Sequence, residues 1–111
     1  MILFQVQQAA EKLIREYNTV AMQFLKRDAF HESKMLLRKA IACTKDANYI
    51  CHRSARLHLR AVTLNNMGCY CKRAGKLDSA LEYLQKALGI ESRLGGGENP
   101  AGTHLNICAV L

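Results

Sequence analysis

The chain has no tryptophan, a single proline (Pro100) and few aromatic residues, 6% of 111. β-Sandwiches and barrels need more aromatic, β-branched and turn residues, so this scarcity argues against an all-β fold. No apolar run approaches the roughly 20 residues of a membrane-spanning helix. Residues 1–6 are mostly apolar but too few for a span, and they lack the basic start of a signal peptide.

The residues that are plentiful are Ala, Leu, Lys, Arg and Gln, which favour helices. Half of the chain is hydrophobic, and its length suits one domain, residues 1–111. We therefore expect an all-α, soluble protein in a reducing, cytoplasmic environment.

Positive charge is concentrated in the first part of the chain. Residues 1–60 carry 11 Lys/Arg against 5 Asp/Glu, a net charge of +6, whereas residues 61–111 carry 5 against 4. A basic protein of this size attracts acidic peptides, nucleic acid or an anionic membrane surface. Net charge alone does not distinguish these partners.

The five cysteines do not form a ligand pattern. Four of them fall inside helical patterns, and Cys69 and Cys71, two positions apart, cannot share a helix face. A disulfide framework or zinc cage would need turns that gather the sulfurs. We expect free thiols and no metal or other cofactor. The cysteines are Cys43, Cys51, Cys69, Cys71 and Cys108.

Apolar residues recur at steps of three and four through most of the chain, which predicts amphipathic helices. Asp28 is a fair helix start, Gly75 a typical helix end, and Asn99-Pro100 an N-cap followed by proline. Gly95-Gly96-Gly97 reads as a flexible linker. The five predicted helices span about residues 3–26, 29–44, 47–74, 78–90 and 100–111; residues 47–74 could equally form two abutting helices.

The predicted inward faces follow from the same spacing. In the first helix the apolar face includes Val6, Leu13, Ile14, Val20 and Ala21. In the fourth it consists of Ala80, Leu81, Leu84, Ala87 and Leu88. The short connection between the first two helices predicts antiparallel neighbours.

The third and fourth helices carry a repeat signature. It reads Leu64-x-x-Met67-Gly68-x-x-Cys71, then Ala80-x-x-x-Leu84, then Ala87. Small residues at Gly68, Ala80 and Ala87 allow two helix backbones to approach closely, and large ones fill the space beside them. This pattern resembles the tetratricopeptide repeat, a helix–turn–helix unit that stacks on its neighbours. The proline that ends that pattern is replaced by Ser92.

Weaker copies flank this unit. The first repeat covers about residues 14–47, the second 61–94, and a partial third 101–111. Their starts at Ile14, Ala61 and Ala101 lie 47 and 40 residues apart, longer than the usual 34. Such long repeats with a Leu-Asn-Asn-Met-Gly phrase resemble those of kinesin light chains. A helical-hairpin stack of another family is the alternative.

The resemblance implies a scaffold that binds a protein or peptide, with an acidic one as an option, in a groove lined by the first helix of each repeat. An asparagine amide both donates and accepts, which suits gripping a peptide backbone. The corresponding groove positions are Asn18, Met22, Asn65, Asn66, Cys69, Lys72, Arg73 and Asn106.

Two other functions compete with this interpretation. A nucleic-acid-associated helical repeat would explain the basic first part, although the basic residues are not interleaved with aromatics. An enzyme is the more distant option, because no Ser/His/Asp set, paired carboxylates or phosphate-binding glycine loop is visible.

One expectation concerns the last helix. Beginning near Pro100, it would present Leu105, Ile107, Cys108 and Leu111 without a second helix to cover them. Exposed apolar surface of this kind favours self-association. We therefore expect a homo-oligomer formed through this helix, with a monomer as the alternative.

Overall fold

A computed structural model describes residues 2–46 and 50–94, and everything in these ranges is helix, turn or short connection. The all-α prediction is confirmed for this part of the chain, which holds four helices rather than the predicted five. The fifth predicted helix, with Asn106, lies outside the described residues. The helices are α1 (Ile2–Lys26), α2 (Phe30–Cys43), α3 (Arg53–Arg73) and α4 (Leu77–Arg93).

The third helix begins later than predicted. Residues 50–52 are extended or irregular, and the His52 ring Nδ1 accepts a hydrogen bond from the Ala55 N–H at 3.3 Å. This contact satisfies one of the free N–H groups at the helix start. The prediction that Cys51 and His52 lie within a helix was wrong. Ile50 precedes this cap and is fully buried.

The turn between α1 and α2 and the turn between α3 and α4 each contain a residue with a positive φ angle. Gly75 ends α3 with φ +78°, as the sequence predicted. Asp28 occupies the same place after α1, with φ +60°, and is not the start of α2 as predicted. A residue in the left-handed region terminates a helix because its N–H turns back onto the last carbonyls. The Asp28 N–H accordingly donates to the Leu25 carbonyl at 3.0 Å.

A shift of 47 residues relates the first helix pair to the second. Adding 47 to the residue number maps the end of α1 onto the end of α3, Asp28 onto Gly75, and the start of α2 onto the start of α4. It also aligns the buried positions of α2 and its C-cap with those of α4. These are Ser33, Leu37, Ala40 and Thr44 in the first pair and Ala80, Leu84, Ala87 and Glu91 in the second.

Helix α3 is central to the packing. It contacts α1, α2 and α4, whereas α4 contacts no other helix within the described ranges. One core cluster joins Ala21 and Leu25 of α1 to Leu37 of α2 and to α3, and a second joins Ile14 to Ala40. Because α3 has neighbours on several sides, it buries residues all round its axis, including Leu59, Ala61 and Thr63.

The close approach predicted at Gly68 is present. A Cβ atom there would lie 2.6 Å from Cγ of Leu84 and 3.3 Å from the Ala80 carbonyl oxygen. Glycine is therefore the residue that fits where α3 crosses α4. Of the inward residues predicted in α4, Ala80, Leu84 and Ala87 are buried, and Leu81 and Leu88 are half-buried.

Part of the predicted inward face of α1 faces outward. Ile14 and Ala21 are buried, but Val6, Leu13 and Val20 are 51%, 45% and 38% exposed. The prediction was wrong for these three because α2 and α3 cover only part of the wide apolar face. Within the described residues, no helix combines the length and apolarity needed to cross a membrane.

Candidate functional site

Helices α1 and α3 lie side by side and run in the same direction. The Gln7 side-chain oxygen accepts a hydrogen bond from the His52 N–H at 3.2 Å near the start of both helices. Near their ends, Arg73 forms an ion pair with Asp28 at 2.6 Å. Both contacts join residues 45 positions apart, as expected for parallel neighbours in register.

A groove runs between these two helices, and we call it the α1–α3 groove. It consists of two concavities of about 390 and 310 Å³ that share Met22. The first is lined by Arg15, Asn18, Thr19, Met22, His58, Leu59, Val62 and Asn66, and the second by Met22, Leu25, Lys26, Cys69, Lys72 and Arg73.

Most of the predicted groove residues meet in this place. Asn18, Met22, Asn66, Cys69, Lys72 and Arg73 line the groove. Asn65 is half-buried and lines neither concavity. Asn106 lies outside the described residues. Among the ionisable lining residues, sequence reasoning missed Arg15, Lys26 and His58, although the first two follow from the same helical spacing as Asn18 and Met22.

Asn18 has a structural part in the groove. It is 5% exposed, and its amide nitrogen donates to the Ile14 carbonyl at 3.0 Å and to Thr63 Oγ1 at 2.9 Å. Its amide oxygen accepts from Asn66 Nδ2 at 2.9 Å. Both donors are therefore used within the chain. Asn18 ties α1 to α3 and fixes Asn66 at the rim of the groove.

The lining of the groove is basic. Arg15, Lys26, Lys72 and Arg73 line it together with His58, and no Asp or Glu is among the lining residues. Arg15 pairs with Glu11 at 3.5 Å, and Arg73 pairs with Asp28. Lys26 and Lys72 have no ion-pair partner in the described part of the chain. The floor of the second concavity is largely apolar, with Met22, Leu25 and Cys69.

The thiols of α3 are not activated. Burial raises the pKa of the Cys69 thiol, and the positive charge of Lys72 opposes part of that shift. Burial also raises the pKa of Cys71. A protonated, half-buried thiol packs as a small apolar group rather than acting as a nucleophile. In the groove, Cys69 therefore contributes apolar surface.

Two arginines of α3 serve packing on its other side. Arg56 Nη1 lies 3.4 Å from the Thr44 carbonyl and Arg60 Nη1 lies 3.3 Å from the Ile41 carbonyl, to which they donate. These carbonyls belong to the last turn of α2 and its cap, where helix acceptors lack partners and negative partial charge accumulates. The spacing of four residues between the two arginines does not by itself indicate this role.

Comparisons with known proteins return no match to a protein-family model, to a curated protein or to a solved structure. No group of three or more His, Cys, Asp or Glu residues within the described ranges could hold a metal ion. The α1–α3 groove itself offers cations, amides and an apolar floor.

Proposed function

We propose that this chain is a helical-hairpin repeat scaffold of the tetratricopeptide type, and that its α1–α3 groove binds an acidic peptide segment of a partner protein. The observation that carries the proposal is the lining of the groove, with four Lys/Arg side chains, no carboxylate and an apolar floor.

The repeat assignment is supported by the 47-residue shift that relates the two helix pairs. In the first pair, Ala21 and Leu25 of α1 cluster with Leu37 of α2, whereas the earlier Ile14 clusters with the later Ala40. This order is that of antiparallel helices. At Gly68, where the family pattern has glycine, an added Cβ would lie 2.6 Å from Leu84 of α4.

The size of the groove favours a short peptide. Arg15 and Lys26 lie 11 residues apart on α1, which corresponds to about 17 Å. An extended chain covers that length with about five residues. Such a segment would place an apolar side chain against Met22 and Cys69, with carboxylates near Lys26 and Lys72.

Selection from a random peptide library, followed by affinity measurement, tests this function. We expect binders that combine Asp or Glu with an apolar residue. The double variant Lys26→Gln/Lys72→Gln should weaken them about tenfold, since each exposed charge pair contributes up to about 1 kcal/mol. The control Lys39→Gln/Lys45→Gln removes the same charge from exposed sites outside the groove and should leave binding within about twofold.

Two results would contradict the proposal. One is equal loss of peptide binding in the groove variant and in the control, which would indicate general charge attraction. The other is tight, salt-sensitive binding to random RNA or DNA without peptide binding, which would favour the nucleic-acid alternative. The groove has no Phe, Tyr or Trp among its lining residues on which bases could stack.

A further inference from the structure

Helix α1 carries a line of exposed apolar side chains along one side. Spacings of three, four and seven residues keep them on that side, and from residue 2 to residue 20 the line is about 27 Å long. We call this surface the α1 stripe. Its members are Ile2 (75% exposed), Leu3 (79%), Val6 (51%), Leu13 (45%) and Val20 (38%).

The 47-residue shift shows what the α1 stripe corresponds to. It carries Leu13 to Arg60 and Val20 to Met67 on α3. Arg60 donates to the Ile41 carbonyl of α2, and Met67 is only 4% exposed, in the cluster that contains Leu37 of α2. The part of the α1 stripe from Leu13 to Val20 is therefore the counterpart of the α3 surface that α2 covers.

The same shift identifies the helix whose surface fits the stripe. The helix α4 is the counterpart of α2. Its residues Leu77, Leu81 and Leu88 therefore occupy the positions that correspond to the residues through which α2 contacts α3. In the first pair, Phe30, the counterpart of Leu77, packs edge-on against Tyr70 of α3 with ring centroids 6.1 Å apart. Leu77 itself is 50% exposed.

The differences between the counterparts point the same way. The contact between α2 and α3 uses charged residues at positions where the α1 stripe and the outer surface of α4 have apolar ones. Arg60 is replaced by Leu13 on α1, and Lys34, whose charge acts on Cys71 of α3, is replaced by Leu81 on α4. Solvent-facing positions usually show the opposite trend. Apolar replacements at these positions are expected if both surfaces are covered.

We propose that α4 of a second copy of this chain covers the α1 stripe and packs there as α2 packs on α3 within one chain. The contact is heterologous, because two different surfaces meet, so copies add head to tail. Leu81 then lies against Phe24 of the other copy and Leu88 near its Leu13. This proposal does not depend on the groove, and it uses other surfaces than the predicted C-terminal helix.

Light scattering on the full chain across a dilution series tests the contact. The average mass of the wild type should rise with concentration. Leu13→Glu places a carboxylate against the carbonyl end of α4, and Leu81→Glu buries one in the other surface. Each should raise the apparent dissociation constant at least about tenfold. Gln8→Glu makes the same charge change at an exposed site outside the stripe and should associate like the wild type.

Mixing the two variants gives the decisive result. Leu13→Glu retains an intact α4 surface and Leu81→Glu an intact α1 stripe, so an equimolar mixture should form a one-to-one dimer that grows no further. Circular dichroism confirms that each variant is folded, and Leu77→Glu replaces Leu81→Glu if the latter is not.

Three results would overturn the proposal. The first is a wild type that stays monomeric at all concentrations. The second is association that survives Leu81→Glu and Leu77→Glu but not Leu13→Glu, which would mean that two α1 stripes pair with each other. The third is a mixture of folded variants that remains monomeric.

Discussion

The fit between α3 and α4 at Gly68 can be tested with a single methyl group. The change is Gly68→Ala, and the matched control is Gly89→Ala on α4. Both glycines lie inside helices, but an added Cβ at Gly89 meets no atom within 4 Å. The two substitutions share the same gain in helix propensity and differ in steric contact alone.

The structure gives the size of the effect. The Cβ at Gly68 would lie 2.6 Å and 2.7 Å from two carbons of Leu84, whereas non-bonded carbons normally approach to about 3.5 Å. Leu84 is 1% exposed, so it cannot move by about 1 Å without disturbing the core. Overpacking of this kind costs about 1–3 kcal/mol. Replacing a glycine inside a helix contributes up to about 1 kcal/mol in the other direction.

We therefore expect Gly89→Ala to stabilise the fold by about 0.5–1 kcal/mol and Gly68→Ala to destabilise it by about 1 kcal/mol. Urea unfolding followed by far-UV circular dichroism measures both. In a double-mutant cycle with Leu84→Ala, the cost of Gly68→Ala should shrink, because the clashing carbons are gone. The reasoning fails if Gly68→Ala is as stable as Gly89→Ala, or if removing Leu84 leaves the cost unchanged.

Three further predictions use the same unfolding measurement. Ser33→Ala should stabilise the fold by about 1 kcal/mol, because the buried Ser33 hydroxyl has no hydrogen-bond partner among the described residues. The counterpart of Ser33 in the second helix pair is Ala80. A loss of stability in the variant would show that the hydroxyl does form a hydrogen bond. Asp28→Gly should be neutral or stabilising by up to about 1 kcal/mol, since relief of the positive φ outweighs one exposed ion pair; clear destabilisation would contradict this. Burial raises the pKa of Cys69 and Cys71 above the ordinary thiol value, so unfolding releases protons above about pH 8.5. The free energy of unfolding should therefore fall as the pH rises from there. This pH dependence should shrink when both thiols are replaced by alanine.

The sequence predicted most of the helix ends because short-range signals set them. The apolar period fixed α1, α2 and α4 to within a few residues, and Gly75 marked the end of α3. The start of α3 was missed because the signal there is a histidine N-cap, and histidine is not among the usual capping residues. Asp28 was misplaced because a left-handed aspartate and an N-cap aspartate look the same in sequence.

The groove was predicted only through the family resemblance, and its energetics could not be. The resemblance implied that Asn18, Met22 and Cys69 line one groove, and these residues do line it. Nothing in the order of residues indicated that Thr63 would accept a hydrogen bond from Asn18, since their contact joins positions 45 apart. The exposure of Leu13 was missed for a related reason: an amphipathic period shows which face is apolar, not how much of it the neighbours cover.

The two asparagines at counterpart positions show how the neighbouring helix decides the role of a residue. The 47-residue shift carries Asn18 to Asn65. Asn18 is buried because α3 lies beside α1 and brings Thr63 and Asn66 within hydrogen-bond distance. Asn65 is half-buried, and none of the described helices lies beside α3 in the way that α3 lies beside α1. A helix packed there in the same way would bury Asn65 as α3 buries Asn18, and would extend the groove by one more helix.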